Sequence, residues 1–275
     1  MSARVTRFAI LAAMSVGAVA WAQDADAIVR RSVDRDWTNF NSQRNYVYQQ
    51  RSEFREYDGA GKLSHKRSET SEILVLFGRR YERRIARDDK PLSAAEERKE
   101  KDKLDREAAR RSRESPEGRA KWEKQRADDR AFIREIPEAF VFRLTGADTV
   151  SGQRTWVLEA APRPGFRPVH SRAGMFTKVR AKVWIEQSTY HWVKAEAQVL
   201  ETMSFGWGLF RVAPGTTLNF EQVRVNDEIW LPSNMRIRGD ARLALLKKLR
   251  AEVDVAYRDY RRFQGESRVL EAPPQ

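Results

Sequence analysis

No cysteine occurs at any of the 275 positions, which removes a disulfide framework, a thiolate nucleophile, a cysteine-ligated metal and a lipid attached through an N-terminal cysteine. Histidine is nearly as scarce. The three present, His65, His170 and His191, lie far apart in sequence, and no metal site is expected from them. The chain also lacks a Gly-x-Ser-x-Gly elbow, a glycine-rich phosphate loop and a His-Glu-x-x-His pair. Beyond residue 22 no segment approaches the ~20 apolar residues that a spanning helix needs. Carboxylates are plentiful but sit among lysines and arginines in the patterns of solvated faces, and the adjoining Asp227 and Glu228 read as a turn before they read as a calcium site. No catalytic constellation emerges, no cofactor is called for, and a non-catalytic protein is expected.

Positive charge, by contrast, is abundant. Lys and Arg number 52 against 39 acids, a formal +13. Residues 1–22 read as an export signal: Arg4 and Arg7 form a basic start, Phe8 to Ala20 is apolar and small, and Ala20-Trp21-Ala22 suits cleavage after Ala22. Removing it takes away those two arginines and no acid, so +13 becomes +11. A location outside the cytoplasm is expected, with a balance that favours anionic partners such as lipid headgroups or acidic proteins. Charge alone would also suit nucleic acid, but export and the lack of an aromatic and basic groove signature argue against that partner.

The stretch from Lys178 to Leu200 organises the rest. Apolar residues recur at every second position, Val179, Ala181, Val183 and Ile185, then Val193, Ala195, Ala197 and Val199, which predicts a hairpin turning at Gln187 to Tyr190. Its other face carries Lys178, Arg180, Lys182, Trp184, Trp192, Lys194, Glu196 and Gln198. One face is therefore dry and one wet. Either core side chains or a bound apolar molecule covers the dry one.

On either side, the chain supplies more strands. A helix is expected over 25–40 from the spacing of Ala27, Ile28, Val33, Trp37 and Phe40. A three-strand meander follows over 45–57, 63–77 and 79–87, turned at Asp58-Gly59-Ala60-Gly61 and at Gly78. From Ser93, an N-cap with Glu96 as its capping-box partner, to about Ile133 the composition is charged and helical, with a break at Ser115-Pro116-Glu117-Gly118. Leu104 is the one large apolar residue between Ala94 and Ala120, so this insertion of about 93–136 is either a solvated helical excursion or a lid or docking arm held at Trp122, Phe132, Ile133 and Ile136. Strands resume at Phe140 to Leu144 and Arg154 to Ala161. Phe205, Trp207, Leu209 and Phe210, spaced by two glycines, form either a wide turn with its aromatics in the core or an apolar tip. Further strands are expected over 216–225, 228–239 and 252–263, with a break at Gly239-Asp240 and a frayed tail over 266–275.

These features sum to one mainly β domain over 23–265, of about nine to eleven strands, nearly all antiparallel, with a long charged helical insertion; such a sheet either closes into a barrel or curls around something. The export signal, the short helix, the meander with Asp58-Gly59, the Asp89-Lys90-Pro91-Leu92 approach to the charged helix, and the closing Asn226-Asp227-Glu228-Ile229-Trp230-Leu231-Pro232 and Tyr257-Arg258-Asp259-Tyr260-Arg261 stretches resemble the exported outer-membrane lipoprotein-sorting-like proteins, similar to the periplasmic lipoprotein carrier and its mycobacterial lipid-binding relatives. The resemblance implies a half-open antiparallel β-barrel with a helical lid, whose concave apolar face, covered by helices, holds acyl chains. Candidate cavity residues are Val183, Ile185, Val193, Ala195, Leu218, Phe220 and Ile229. The expected partner is a lipid or an acylated protein, with transient contact to an anionic membrane surface. The other reading is a periplasmic sensor or scaffold that grips a membrane protein through the charged helix.

Overall fold

The computed structural model describes residues 25–205, 210–243 and 247–263. The expected export signal, the glycine-flanked Trp207 and Leu209, and the tail lie outside the described residues.

Helix α1 (25–42) leads through a short 3-10 turn into the meander β1 (Tyr46–Tyr57), β2 (Leu63–Leu76) and β3 (Arg79–Arg87). A two-residue strand, β4 (Lys90–Pro91), precedes the charged insertion. That insertion is two helices, α2 (Ala94–Ser112) and α3 (Pro116–Ala131). Ser93 caps α2 with the reciprocal Glu96 contact, and Ser115 caps α3 with Pro116 in its first turn, so the break falls where the sequence places it. A 3-10 segment (Phe132–Glu135) and the short α4 (Ile136–Ala139) return the chain to β5 (Phe140–Val150) and β6 (Gln153–Pro162). A second 3-10 segment (Ser171–Lys178) delivers it to the central hairpin, β7 (Val179–Glu186) and β8 (Trp192–Val199). Two short strands, β9 (Met203–Phe205) and β10 (Phe210–Val212), precede the long β11 (Thr217–Val225), β12 (Ile229–Leu243) and β13 (Lys247–Arg262).

The pairing is antiparallel throughout, in the order β4-β3-β2-β1-β13-β12-β11-β8-β7-β6-β5, with β9 and β10 attached to the side through β12. β4 and β5 end the path without meeting. The result is an unclosed sheet of 11 strands with helices against it, the half-open architecture that the resemblance implies and not a closed barrel.

Register gives the two faces opposite chemistry. One row runs Phe54, Val253, Ile237, Leu218, Ala197, Ala181, Ala160, Phe142 from β1 to β5, each residue paired with the next. The parallel row runs Ser52, Val255, Met235, Phe220, Ala195, Val183, Leu158, Leu144. Between them, pointing the other way, lies Glu53, Asp254, Arg236, Asn219, Glu196, Lys182, Glu159, Arg143. Apolar side chains thus pave one face across eight strands, and an interleaved lattice of charges paves the other. Across neighbouring strands this lattice forms ion pairs, among them Arg143 with Glu159 and Arg238 with Glu252 at 3.2 Å.

The break expected at Gly239-Asp240 is absent; β12 passes straight through to Leu243. Gly239 serves close packing instead. A Cβ there would meet Thr216 Oγ1 at 2.2 Å, so the glycine admits the Thr216 side chain against the strand.

Glu107 fastens the insertion. It accepts from Arg110 at 2.6 and 2.8 Å and from Arg111 at 2.6 Å, while Arg111 also donates to the carbonyls of Leu76 and Arg79, both at 3.1 Å, tying α2 to the β2–β3 turn. The hydrogen bonds from Arg110, with those from Arg111, lower the Glu107 pKa from 4.5 to about 2. A depressed carboxylate stabilises the fold above its unfolded value and stops doing so as pH falls through its folded one. Glu107 therefore contributes on the order of 1–2 kcal/mol after allowance for solvent, lost between about pH 4.5 and about pH 2. Urea denaturation across that range should show a shallower loss of stability for Glu107→Gln than for the native chain; identical slopes would contradict this assignment.

Candidate functional site

The apolar face divides into a covered half and a half-covered half. Over β5 to β7 it is filled by the chain itself: Ala25, Ile28 and Val29 of α1, and Ala173 and Phe176 of the second 3-10 segment, form one buried cluster with Phe140, Phe142, Leu158, Ala160 and Ile185. Val179, Ala181 and Val183 pack against it. So core side chains, not a ligand, cover the β7 side of the hairpin. Over β8, β11, β12 and β13 the same rows continue as Ala195, Ala197, Leu218, Phe220, Met235, Ile237 and Val253, all of them half-buried and none within a buried cluster.

Two candidate residues stand elsewhere than expected. Val193 is the extra residue of a bulge: Trp184 pairs with Lys194 but Ile185 pairs with Trp192. That one-residue slip sends Val193 to the opposite side, where it is fully buried with Val157, Trp184 and Trp230, and brings Trp192 to the apolar face beside Phe220, ring centroids 5.0 Å apart. Ile229 lies at the start of β12 in a separate buried cluster with Tyr46 and Leu231. Of the named set, Val183, Ile185, Ala195, Leu218 and Phe220 share the apolar face, and the first two lie under the helical cover. Phe205 and Phe210 pair across β9 and β10; the apolar tip, with Trp207 and Leu209, otherwise falls outside the described residues.

Buried polar groups hold α1 in place. The inward stripe of this helix carries Ser32, Asp36 and Asn39, each 5% exposed or less, whereas Ala27, expected to face the core, is exposed. Asp36 accepts from Trp192 Nε1 at 2.9 Å and from Arg130 of α3 at 2.6 and 2.8 Å. Asn39 binds the Trp230 backbone from both sides, donating to its carbonyl at 2.7 Å and accepting its N–H at 3.1 Å. Asp36 thus joins three elements, the helical cover, the insertion and the bulged strand. Periodicity could not reveal it, because a lone Asp on an amphipathic helix is read as solvent-facing; Asn39 three residues on was the available hint.

The opposite, charged face bears two grooves. One, of about 750 Å³, is lined by Arg143, Glu159, Arg180, Lys182, Glu196 and Gln198 among others; the second, of about 490 Å³, by Arg51, Glu53, Arg55, Arg236 and Asp254. Their charges are largely paired within the lattice, as in Lys66, Arg51 and Arg55 around Glu53. Val141, Ala160, Ala161, Ala181 and Ala197 give the larger groove an apolar floor between its charged side chains, whereas the smaller one is lined mainly by charged and amide groups.

No family model matches the chain, and no curated protein matches it. Solved structures do. A protein of the DUF1329 family from Desulfovibrio piger is 13% identical, with 88% of this chain and 95% of that one aligned at a TM-score of 0.36. An outer membrane lipoprotein-sorting protein domain from Vibrio parahaemolyticus is 14% identical with the same coverages and TM-score. A LolA superfamily protein from Nitrosomonas europaea is 10% identical, with 86% and 92% aligned at a TM-score of 0.31. At TM-scores below 0.5 the likeness carries nothing about ligand.

Asp36 makes a sharp test of how the cover is held. Asp36→Asn keeps the shape but removes the charge that pairs Arg130, and should cost roughly 1–3 kcal/mol in urea denaturation. It should also speed hydrogen exchange of α1 relative to the β1–β2 hairpin. Unchanged stability and exchange would show that apolar packing alone seats the helix.

Proposed function

We propose that this protein is a periplasmic carrier that holds acyl chains against the half-covered apolar face between β8 and β13, without catalysis. One observation supports this reading above the rest: the same apolar rows that α1 buries over β5 to β7 run on only half-covered, through Leu218, Phe220, Met235, Ile237 and Val253. A contiguous apolar surface left in contact with water favours a binding partner of like character. Alanines at 195 and 197 leave space above the sheet that larger residues would occupy. Each methylene removed from water there contributes about 0.8 kcal/mol, enough over one long chain to exceed the cost of ordering it. Cargo is a lipid or an acylated protein, and exchange needs only a difference in affinity between successive partners. Export to the periplasm fits the basic and apolar character of residues 4–22.

Titration with a fluorescent fatty-acyl probe tests the reading. The native protein should take up the probe in stoichiometric amount. Ile237→Asp, which sets a charge in the middle of the half-covered rows, should weaken uptake by at least about tenfold. Val141→Asp, on the exposed charged face, should leave it unchanged. No uptake by the native chain, or equal uptake by Ile237→Asp, would refute the proposal.

A further inference from the structure

Where α1 runs into β1, four guanidiniums gather around two carboxylates. Arg126 and Arg130 of α3 both lie over the Phe40 ring, 4.0 and 4.4 Å from its centroid, and Arg80 of β3 lies over Tyr48 at 5.6 Å. Asp36 takes Arg130, and Glu123 takes Arg44 at 3.0 Å while standing 3.7 Å from Arg126. Arg126 donates to the Phe40 carbonyl at 3.0 Å and to Asn41 Oδ1 at 3.3 Å. Arg80 reaches only the backbone and side-chain oxygens of Gln43, at 3.3 and 3.5 Å, and among the described residues no carboxylate pairs with it. Burial lowers the Arg126 pKa, Glu123 opposes that, and Arg44, Arg80 and Arg130 add to the lowering. Packing like charges this closely disfavours the ligand-free state, and a bound anion removes the penalty.

Space is present beside the cluster. A groove of about 340 Å³ is lined by Phe40, Trp122, Arg126 and Arg130; Asp129, also on its wall, is engaged by Arg172 at 2.9 Å. The cluster also stands at one end of the half-covered apolar rows. Tyr48, beneath Arg80, lies 6.0 Å from Tyr257, which follows Val255 on the same face, and Asp36, beside Arg130, holds the Trp192 that touches Phe220.

We infer that this arginine cluster receives the phosphate of an anionic phospholipid whose acyl chains lie on the apolar face. Guanidinium forks match phosphate oxygens, and the aromatic rings beneath them suit the apolar carbon of the glycerol backbone. The inference rests on the carrier reading above and names the class of its cargo.

Binding of dioctanoyl phosphatidylglycerol, dioctanoylglycerol and glycerol 3-phosphate, each measured by calorimetry with the full chain, tests it. The native protein should prefer phosphatidylglycerol over dioctanoylglycerol by roughly tenfold or more. Arg80→Gln with Arg126→Gln should abolish that preference while leaving dioctanoylglycerol affinity as it was. Should the pair fail to fold, Arg80→Gln alone, which breaks the long contacts to Gln43 and the stacking on Tyr48 but no ion pair, should cut the preference roughly threefold. Equal binding of the two lipids by the native chain, or a preference kept by these variants, would overturn the inference and leave the carrier reading standing. Glycerol 3-phosphate that binds as tightly as phosphatidylglycerol would reassign the cluster to free phosphate esters and overturn it too. Failure of both lipids to bind would remove the carrier reading and the inference together.

Discussion

The whole molecule depends on one constraint, the two-residue alternation of side chains kept in register across eight neighbouring strands. Because the central rows pair mostly apolar with apolar and charged with charged or amide, the sheet presents hydrocarbon on one side and a charge lattice on the other. The lattice explains how so basic a chain keeps a wide sheet together. Glu53, 8% exposed, sits amid Arg51, Arg55 and Lys66, and Asp254 joins Arg55 to Arg236. Opposite charges directly across strands, such as Arg236 and Asp254, penalise any slipped register.

Where alternation is broken, the breaks direct the helical cover. The bulge at Val193 turns Trp192 onto the apolar face, where its indole N–H meets Asp36 of α1. Arg130 reaches the same carboxylate from α3, so the insertion, the cover and the central hairpin share one buried anion. Without the slip, Trp192 would point into the charged lattice and α1 would lose its polar fastening to the sheet. Seating α1 over β5 to β7 in turn leaves β8 to β13 half-covered, so the place of one helix sets the extent of the apolar surface that stays open.

Much of the fold was legible in the sequence because its signals are local. Alternation over 179–185, the Asp58 turn and the Ser93–Glu96 capping box are each readable within a few residues, and all three stand as expected. What escaped depends on partners distant in sequence. Gly239 looked like a break because a glycine is ambiguous alone; its reason is Thr216, on the neighbouring segment. Val193 fits the alternation of its own strand, and only pairing with Trp184 and Ile185 shows it to be the extra residue. Ile229 carries the apolar label of a cavity residue but closes against Tyr46, more than 180 positions earlier. The arginine cluster was invisible for the same reason: Arg44, Arg80, Arg126 and Arg130 lie on three separate elements within a chain already rich in arginine.

Under the proposed function, hydrocarbon lies on one defined half of one face of the sheet, and methyl-resolved nuclear magnetic resonance with a spin-labelled fatty acid reads its position. Strong relaxation enhancement is expected at the methyl groups of Leu218, Ile237 and Val253, with Leu158 and Ile185 under α1 unaffected. Broadening that begins at Leu158 and Ile185, or that spreads evenly over both faces, would contradict it.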